Sequence, residues 1–389
     1  MFSEEPTDYD EAVFAKITTI QLTPEQIDRI VYPNTTYPRQ KNVLAVHWHP
    51  EHIPLDLIEE RLKRTFPNAE HSLIIPTQHN ELLYFHEYAG VEVDAYSRGF
   101  NQKVQLLLHF HAGRVQSAHI LKSMLAYTLK YRQHQMNDFL DTLIKPNEFR
   151  IEAAAAETGA SDECIRFVRA QMKKLSILIE RHYDKVPVEM FKNKLLRDFL
   201  DEYRSEYGDA WINRAQTFLQ AVKQIVKSQF PMRYFYRTSE IIEEARSLGG
   251  CVVIPHPEQF WPILLADYDV DGYEVWNPQS QRYTEFLISV VNRKNATVKR
   301  GDRPVLIFMG DDTHMSEKIR DIEKQHPEKA GREIGVQPAW EDIYIRKALI
   351  AANMSRKRII EEYQARLKGN TMEIDESPTT AKGKEETHG

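Results

Sequence analysis

Asn42-Val43-Leu44-Ala45-Val46-His47-Trp48-His49 is an apolar run that ends in two histidines spaced i, i+2. In an extended strand two such side chains share a face, so both imidazoles can reach one ligand. The same design recurs along the chain. Ser72–Ile75 runs into Thr77-Gln78-His79-Asn80, Val91–Ala95 carries Glu92, and Val104–His109 closes on His109-Phe110-His111. Cys251–Ile254 leads to Pro255-His256-Pro257, and Pro304–Met309 leads to Gly310-Asp311-Asp312-Thr313-His314. Val270–Trp276 is a seventh strand candidate, interrupted by Gly272. With 15 histidines in 389 residues, one His-x-His carries little information; the ordered set carries the reading. Chemistry in parallel barrels collects at the carboxyl ends of the strands, where the loops converge. Six segments that each deliver imidazole or carboxylate there therefore predict an α/β barrel with one clustered site. Neutral imidazole and carboxylate are ligands for zinc, manganese or iron, and a mixed set this large points to more than one ion.

The rest of the chain organises around these segments. Residues 1–39 form an N-terminal extension, and 40–113 hold the first four strand candidates. From 114 to 230 the pattern turns helical. After Ser161, a candidate N-cap, Ile165, Val168, Met172, Leu175 and Ile179 recur at helical spacing. Leu195, Phe199 and Tyr203, then Phe218, Val222 and Ile225, continue that pattern, so this stretch reads as a large helical insertion. The strand–helix rhythm resumes over 231–340. There Thr238 or Ser239 can cap a helix that Gly249-Gly250 terminates. One amphipathic helix is expected over 341–367 with Gly369 to end it, and the polar tail 370–389 is expected to be disordered.

Composition excludes several classes. Hydrophobic residues at 42% and charged residues at 28% suit a globular chain with a sizeable core. The net charge of −6 supplies no global basic field for nucleic acid, so nucleic acid is a possible but not a favoured partner. Two cysteines exclude a disulfide framework and fit a reducing compartment. No window nears the roughly 20 apolar residues of a membrane span, and the start of the chain lacks a secretion pattern. A cytoplasmic location without membrane contact is the expectation.

In its order of motifs the chain resembles the polymerase-and-histidinol-phosphatase (PHP) family. His47-x-His49 matches the family's opening motif, and Gln78-His79 stands where the family has Asp-His. Gly90-Val91-Glu92 matches its Gly-x-Glu, with His109 for the histidine one strand later. Gly249-Gly250 through His256-Pro257 matches a helix, a strand and His-Pro. Asp271–Asn277 looks like the family's next strand, and Asp311-Asp312-Thr313-His314 matches the closing Ser-Asp-x-His. The resemblance covers about 40–112 and 238–315. It implies a distorted (β/α)7 barrel, two or three divalent ions, and hydrolysis of phosphate esters by a metal-activated hydroxide. The metal ligands it implies are His47, His49, His79, Glu92, His109, His256, Asp312 and His314. His47, Glu92 and Asp312 would carry the chemistry, with Glu92 as a bridging carboxylate. The chain departs from the family in three places. Pro54 stands where an aspartate usually follows the first motif, with Glu51, His52 and Asp56 nearby. Gln78 replaces an aspartate. Gln105 stands where the fourth-strand histidine often comes, which leaves the choice between His109 and His111 open.

The expected function is hydrolysis of a small phosphomonoester or a nucleotide. Arg98 or Arg303 is a candidate for the substrate phosphate, on charge alone. A nuclease would use the same centre. Arg233-Tyr234-Phe235-Tyr236-Arg237 is the short run with the basic and aromatic character of a nucleic-acid platform. A degenerate barrel acting as a binding module would follow from Gln78 and the missing aspartate. An amidohydrolase-like barrel also opens on His-x-His, but the His79 and Glu92 pair and Asp312-x-His314 favour the phosphoesterase. The helical insertion could cap the site or recruit a protein partner.

Overall fold

The computed structural model describes residues 2–299 and 303–369; the expected disorder of 370–389 falls outside them. Among the described residues there are ten strands: β1 Asn42–Ala45, β2 Trp48–His49, β3 His71–Ile74, β4 Leu83–Phe85, β5 Tyr88–Ser97, β6 Gln102–His111, β7 Cys251–Ile254, β8 Gly272–Trp276, β9 Leu306–Met309 and β10 Thr313–His314. β1 pairs with β3 and β2 with β10, both in parallel, and the remaining six form one sheet in the order β4-β5-β6-β7-β8-β9.

The expected (β/α)7 barrel is not what forms: the strands make sheets of two, two and six, none of them closed. The reason lies in β4, β5 and β6, which pair antiparallel as successive hairpins, and in β6, which is also antiparallel to β7. Parallel neighbours need a crossover of about a dozen residues or more. The turn from Ser97 to Gln102 has no room for one. Only β7, β8 and β9 keep the parallel succession that a barrel would repeat.

Between His119 and Gln229 the chain is helical. Its long members are His119–Ile144, Asp162–His182 and Asp209–Gln229. Ser161 caps the second, its hydroxyl accepting the Cys164 N–H. These helices share a core that includes Phe167, Phe199 and Phe218, and it also takes in Val13 and Phe14 of the N-terminal helix Asp8–Thr18. The first helix of the N-terminal segment is thus packed into the helical unit, whereas Ile30 of its second helix, Pro24–Val31, packs with Ile58 and Leu62. Lys174 and Tyr203 both reach the buried Asp10 carboxylate there.

A second core joins the six-stranded sheet to the last helix. That helix differs from the single one expected over 341–367: the chain forms Ile343–Ala351, breaks, and restarts at Arg356–Lys368. Ser355 supplies the N-cap for the restart and Gly369, at φ +82°, ends it. A serine hydroxyl competing for the backbone favours such a break over helix continuation. Among the described residues, no helix is long and apolar enough to cross a membrane.

Candidate metal centre

Five loops or strand ends meet at one buried point. His47 and His49 follow β1, His79 follows β3, Glu92 lies within β5, His256 follows β7, and Asp312 and His314 follow β9. Backbone hydrogen bonds lock these segments in register. Asp312 N–H donates to His47 O (3.0 Å), Met315 N–H to His49 O (3.0 Å), and Asn80 N–H to Glu92 O (2.7 Å).

Three overlapping sets of donor atoms result, each within 4.8 Å: His49, His79 and His314; His47, His49 and Asp312; His47, Glu92 and His256. Glu92 stands between sets. Its Oε2 is 3.5 Å from His49 Nε2 and 2.7 Å from His79 Nδ1, and its Oε1 is 3.8 Å from His256 Nε2. Asp312 Oδ1 lies 3.4 Å from both His49 Nε2 and His314 Nε2.

These residues fit divalent cations, because their polar atoms are buried without partners. Among the described residues, His47 Nε2, both ring nitrogens of His49, His79 Nδ1, Glu92 Oε2 and His256 Nδ1 find no hydrogen-bond partner. The close His79–Glu92 pair is out of line for one. Each such orphan costs about 1–3 kcal/mol, and six together in one place call for a ligand.

The backbone is strained at the same point. Glu51, Asn80, His256 and Asp312 have φ of +55°, +54°, +28° and +47°. Non-glycine residues in this region cost on the order of 1–3 kcal/mol each and gather where geometry serves a site.

Charge is distributed unevenly over the cluster. Burial opposes ionisation of Glu92 and Asp312, but the surrounding imidazoles hold both carboxyls well below the ordinary range. Burial also opposes protonation of His47, yet Glu274 beside it carries that ring up to about 10. His314 rises to about 9 against burial, through Asp312 and Glu51. Burial, then His314 and His79, pushes His49 down to about 3. Protons therefore occupy part of a site whose carboxylates demand positive charge, and a divalent cation would compete with them for the imidazoles.

Of the expected ligands, seven meet in this cluster and His109 does not. Its Nε2 lies 2.9 Å from Val46 O and its Nδ1 2.8 Å from Tyr363 Oη, so both nitrogens are engaged within the protein. β6 runs antiparallel to β7, and His109 pairs with Cys251 at the beginning of β7, away from the end that carries His256. Gln105, earlier on β6, lines the cavity instead. His111 is also outside the cluster, 4.0 Å from Glu87. Arg98 and Arg303 are both exposed and neither lines the cavity. Charge alone had no means of placing them.

Four further residues shape the site without a role assigned from sequence. Glu274, in a wholly buried strand, holds His47 Nδ1 at 2.8 Å and accepts the His256 N–H at 2.9 Å. A carboxylate inside the run Gly272–Trp276 was the available signal. Glu51, among the three candidates for the missing aspartate, is the one that faces His314, at 3.6 Å. Arg332 (3.0 Å) and Gln279 (2.9 Å) donate to Asp312 Oδ2 and aim its other oxygen at the histidines.

The cluster floors a cavity of about 760 Å³. Its walls come from the helical segment. Arg132, Lys192, Lys194, Arg197, Lys223 and Lys227 all line it, and Lys103 and Lys329 add to them from elsewhere.

No protein-family model matches the chain, and no curated protein does. Among solved structures, a Bifidobacterium adolescentis protein named a "putative metal-dependent phosphoesterase" is similar at 16% sequence identity, over 82% of this chain and 96% of that one, with a TM-score of 0.37. At that score the likeness defines neither the fold nor the reaction.

Proposed function

We propose that this chain is a metal-dependent phosphoesterase that hydrolyses a small phosphomonoester or a nucleotide. The observation that supports it is the convergence of unpartnered imidazoles with Glu92 and Asp312 under a cation-lined wall. Two or three divalent ions (zinc, manganese or iron) would supply Lewis acidity there, lowering the pKa of water and neutralising charge on the phosphate.

The chain's own residues do the rest. Glu92 turns one oxygen to His49 and His79 and the other to His256, so it would help to hold the ions with all three histidines. Glu274 fixes the His47 ring with its Nε2 turned to the cluster. Arg132, Lys192 and Lys194 are placed to hold phosphate oxygens by charge-assisted hydrogen bonds. The helical roof restricts water around the ester and strengthens these interactions. The chemistry is that of the PHP family, on sheets that do not close into a barrel.

Elemental analysis and a phosphomonoester screen on wild type and His49→Ala/Asp312→Ala test this. Two or three equivalents of metal with turnover, both lost in the variant, are expected. Less than about half an equivalent, unchanged by the substitutions and by added metal, would leave the cavity as a binding site without this chemistry.

A further inference from the structure

The cations on the cavity roof exceed what one phosphate over the cluster requires, and their arrangement is unusual. Lys223 and Lys227 sit one turn apart on the helix Asp209–Gln229, both facing the cavity. Arg197, on the helix Lys194–Asp201, and Lys329, on the helix Pro327–Ala330, act on Lys223, and Lys103 of β6 acts on Lys227. Like charges one turn apart destabilise a helix. Of their neighbours, Lys103 is paired with Asp94 and Arg197 with Asp198, which leaves Lys223, Lys227 and Lys329 as cavity lysines with no acidic partner among the described residues.

Among the described residues, no carboxylate lies within salt-bridge distance of Lys223, Lys227, Lys329 or Arg132, although such pairs form even between exposed groups elsewhere, as Lys368 does with Glu87. A solvated basic face would interleave its lysines with acids, as the helix Leu55–Thr65 does with Lys63 beside Glu59 and Glu60. Burial, then Lys227, Arg197 and Lys329, push Lys223 below the ordinary lysine value, and burial, then Lys103, do so for Lys227 against an opposing pull from Asp94. An anion bound between them relieves that repulsion.

The cavity is also larger than one phosphate and its partners fill. Ligand cavities of about 300–1,000 Å³ hold drug-sized molecules, and this one is about 760 Å³. Phe139, Leu219, Phe230 and Phe235 give it apolar surface for an organic body.

We propose that Lys223 and Lys227 form the centre of a second phosphate subsite, so that the substrate is a small organic molecule with two phosphate groups, one at the imidazole–carboxylate cluster and one at the roof. This rests on the phosphoesterase reading for the first phosphate. The bounded cavity favours a small bisphosphate over a nucleic-acid strand.

The test measures binding by calorimetry to the full-length, metal-loaded protein, with probes that cannot be hydrolysed. The probes are non-hydrolysable phosphonate analogues of terminal alkanediol bisphosphates, of the matching alkyl monophosphates and of an oligothymidylate. A bisphosphate of matching length is expected to bind about tenfold or more tightly than its monophosphate. Lys223→Gln/Lys227→Gln should abolish that advantage, and Lys223→Arg/Lys227→Arg should retain it. Both variants should melt at or above the wild-type temperature, since the glutamines remove repulsion and the arginines preserve charge.

No bisphosphate advantage at any length, or an advantage unchanged by the glutamine pair, overturns the proposal. An advantage confined to the oligothymidylate overturns it in favour of a nucleic-acid groove. Because binding and not turnover is read, failure of the phosphoesterase reading leaves this result interpretable. Conversely, monoester hydrolysis by the metal-loaded protein without a bisphosphate advantage removes the subsite alone.

Discussion

Oε1 of Glu274 lies 2.8 Å from Nδ1 of His47, and both side chains are 1% exposed. The other oxygen accepts the backbone N–H of His256 at 2.9 Å. One carboxylate on β8 therefore orients groups delivered by β1 and β7. Outer partners of this type, when removed, typically cost about 10–100-fold in metal affinity. Glu274→Gln is expected to lose that much in competition with a chelator, while the circular dichroism of the protein stays unchanged. Unchanged affinity would remove Glu274 from the site.

Gly310 makes that arrangement possible. A Cβ at this position would overlap Glu274 Oε1. Gly310→Ala must displace either the carboxylate or the strand end that carries Asp312. Metal affinity is expected to fall as in Glu274→Gln, with a further loss of about 1–3 kcal/mol in stability from overpacking. Chelator competition and urea unfolding on the same preparation separate the two effects.

His109 gives the opposite result. Burial, the leading cause, lowers its pKa to about 3, and the ring stays neutral between Val46 O and Tyr363 Oη. The unfolded chain takes up a proton below about 6.5, the ordinary histidine value, and the folded chain does not. The stability this ring contributes is full above that pH and declines as pH falls toward 3, by about 1.4 kcal/mol per unit. His109→Asn should weaken the protein by about 1–3 kcal/mol at neutral pH, flatten its urea stability between pH 7 and 5, and leave its metal content intact. Lost metal would return His109 to the ligand set.

Arg332 and the two exposed arginines are separable in the same way. Arg332 donates to Asp312 Oδ2 and O, each at 3.0 Å. Arg332→Ala is expected to reduce metal affinity about tenfold or more by freeing that carboxylate. Arg98→Ala and Arg303→Ala should change neither metal content nor phosphoester turnover. A turnover defect in either would mean that the exposed arginine reaches the substrate.

Which residue types stand at the ends of apolar runs was legible without any three-dimensional information. An imidazole or carboxylate after a short buried strand is a local pattern, and seven of the eight residues that the family resemblance picked out from it lie together in the fold. Ser161 as a cap and Gly369 as a terminator were equally local, since capping depends on a few neighbouring residues. Strand direction was decided only by the packed chain. A strand carries the same alternation whether its neighbour runs parallel or antiparallel, so β5 and β6 read as two barrel strands when they form a hairpin. That one reversal opened the expected barrel and put His109 at the wrong end of β6. Long-range charge was also out of reach of the sequence. Glu274 and Arg332 acquire their partners, and Lys223 and Lys227 are left without an acidic one among the described residues, only when distant segments pack together.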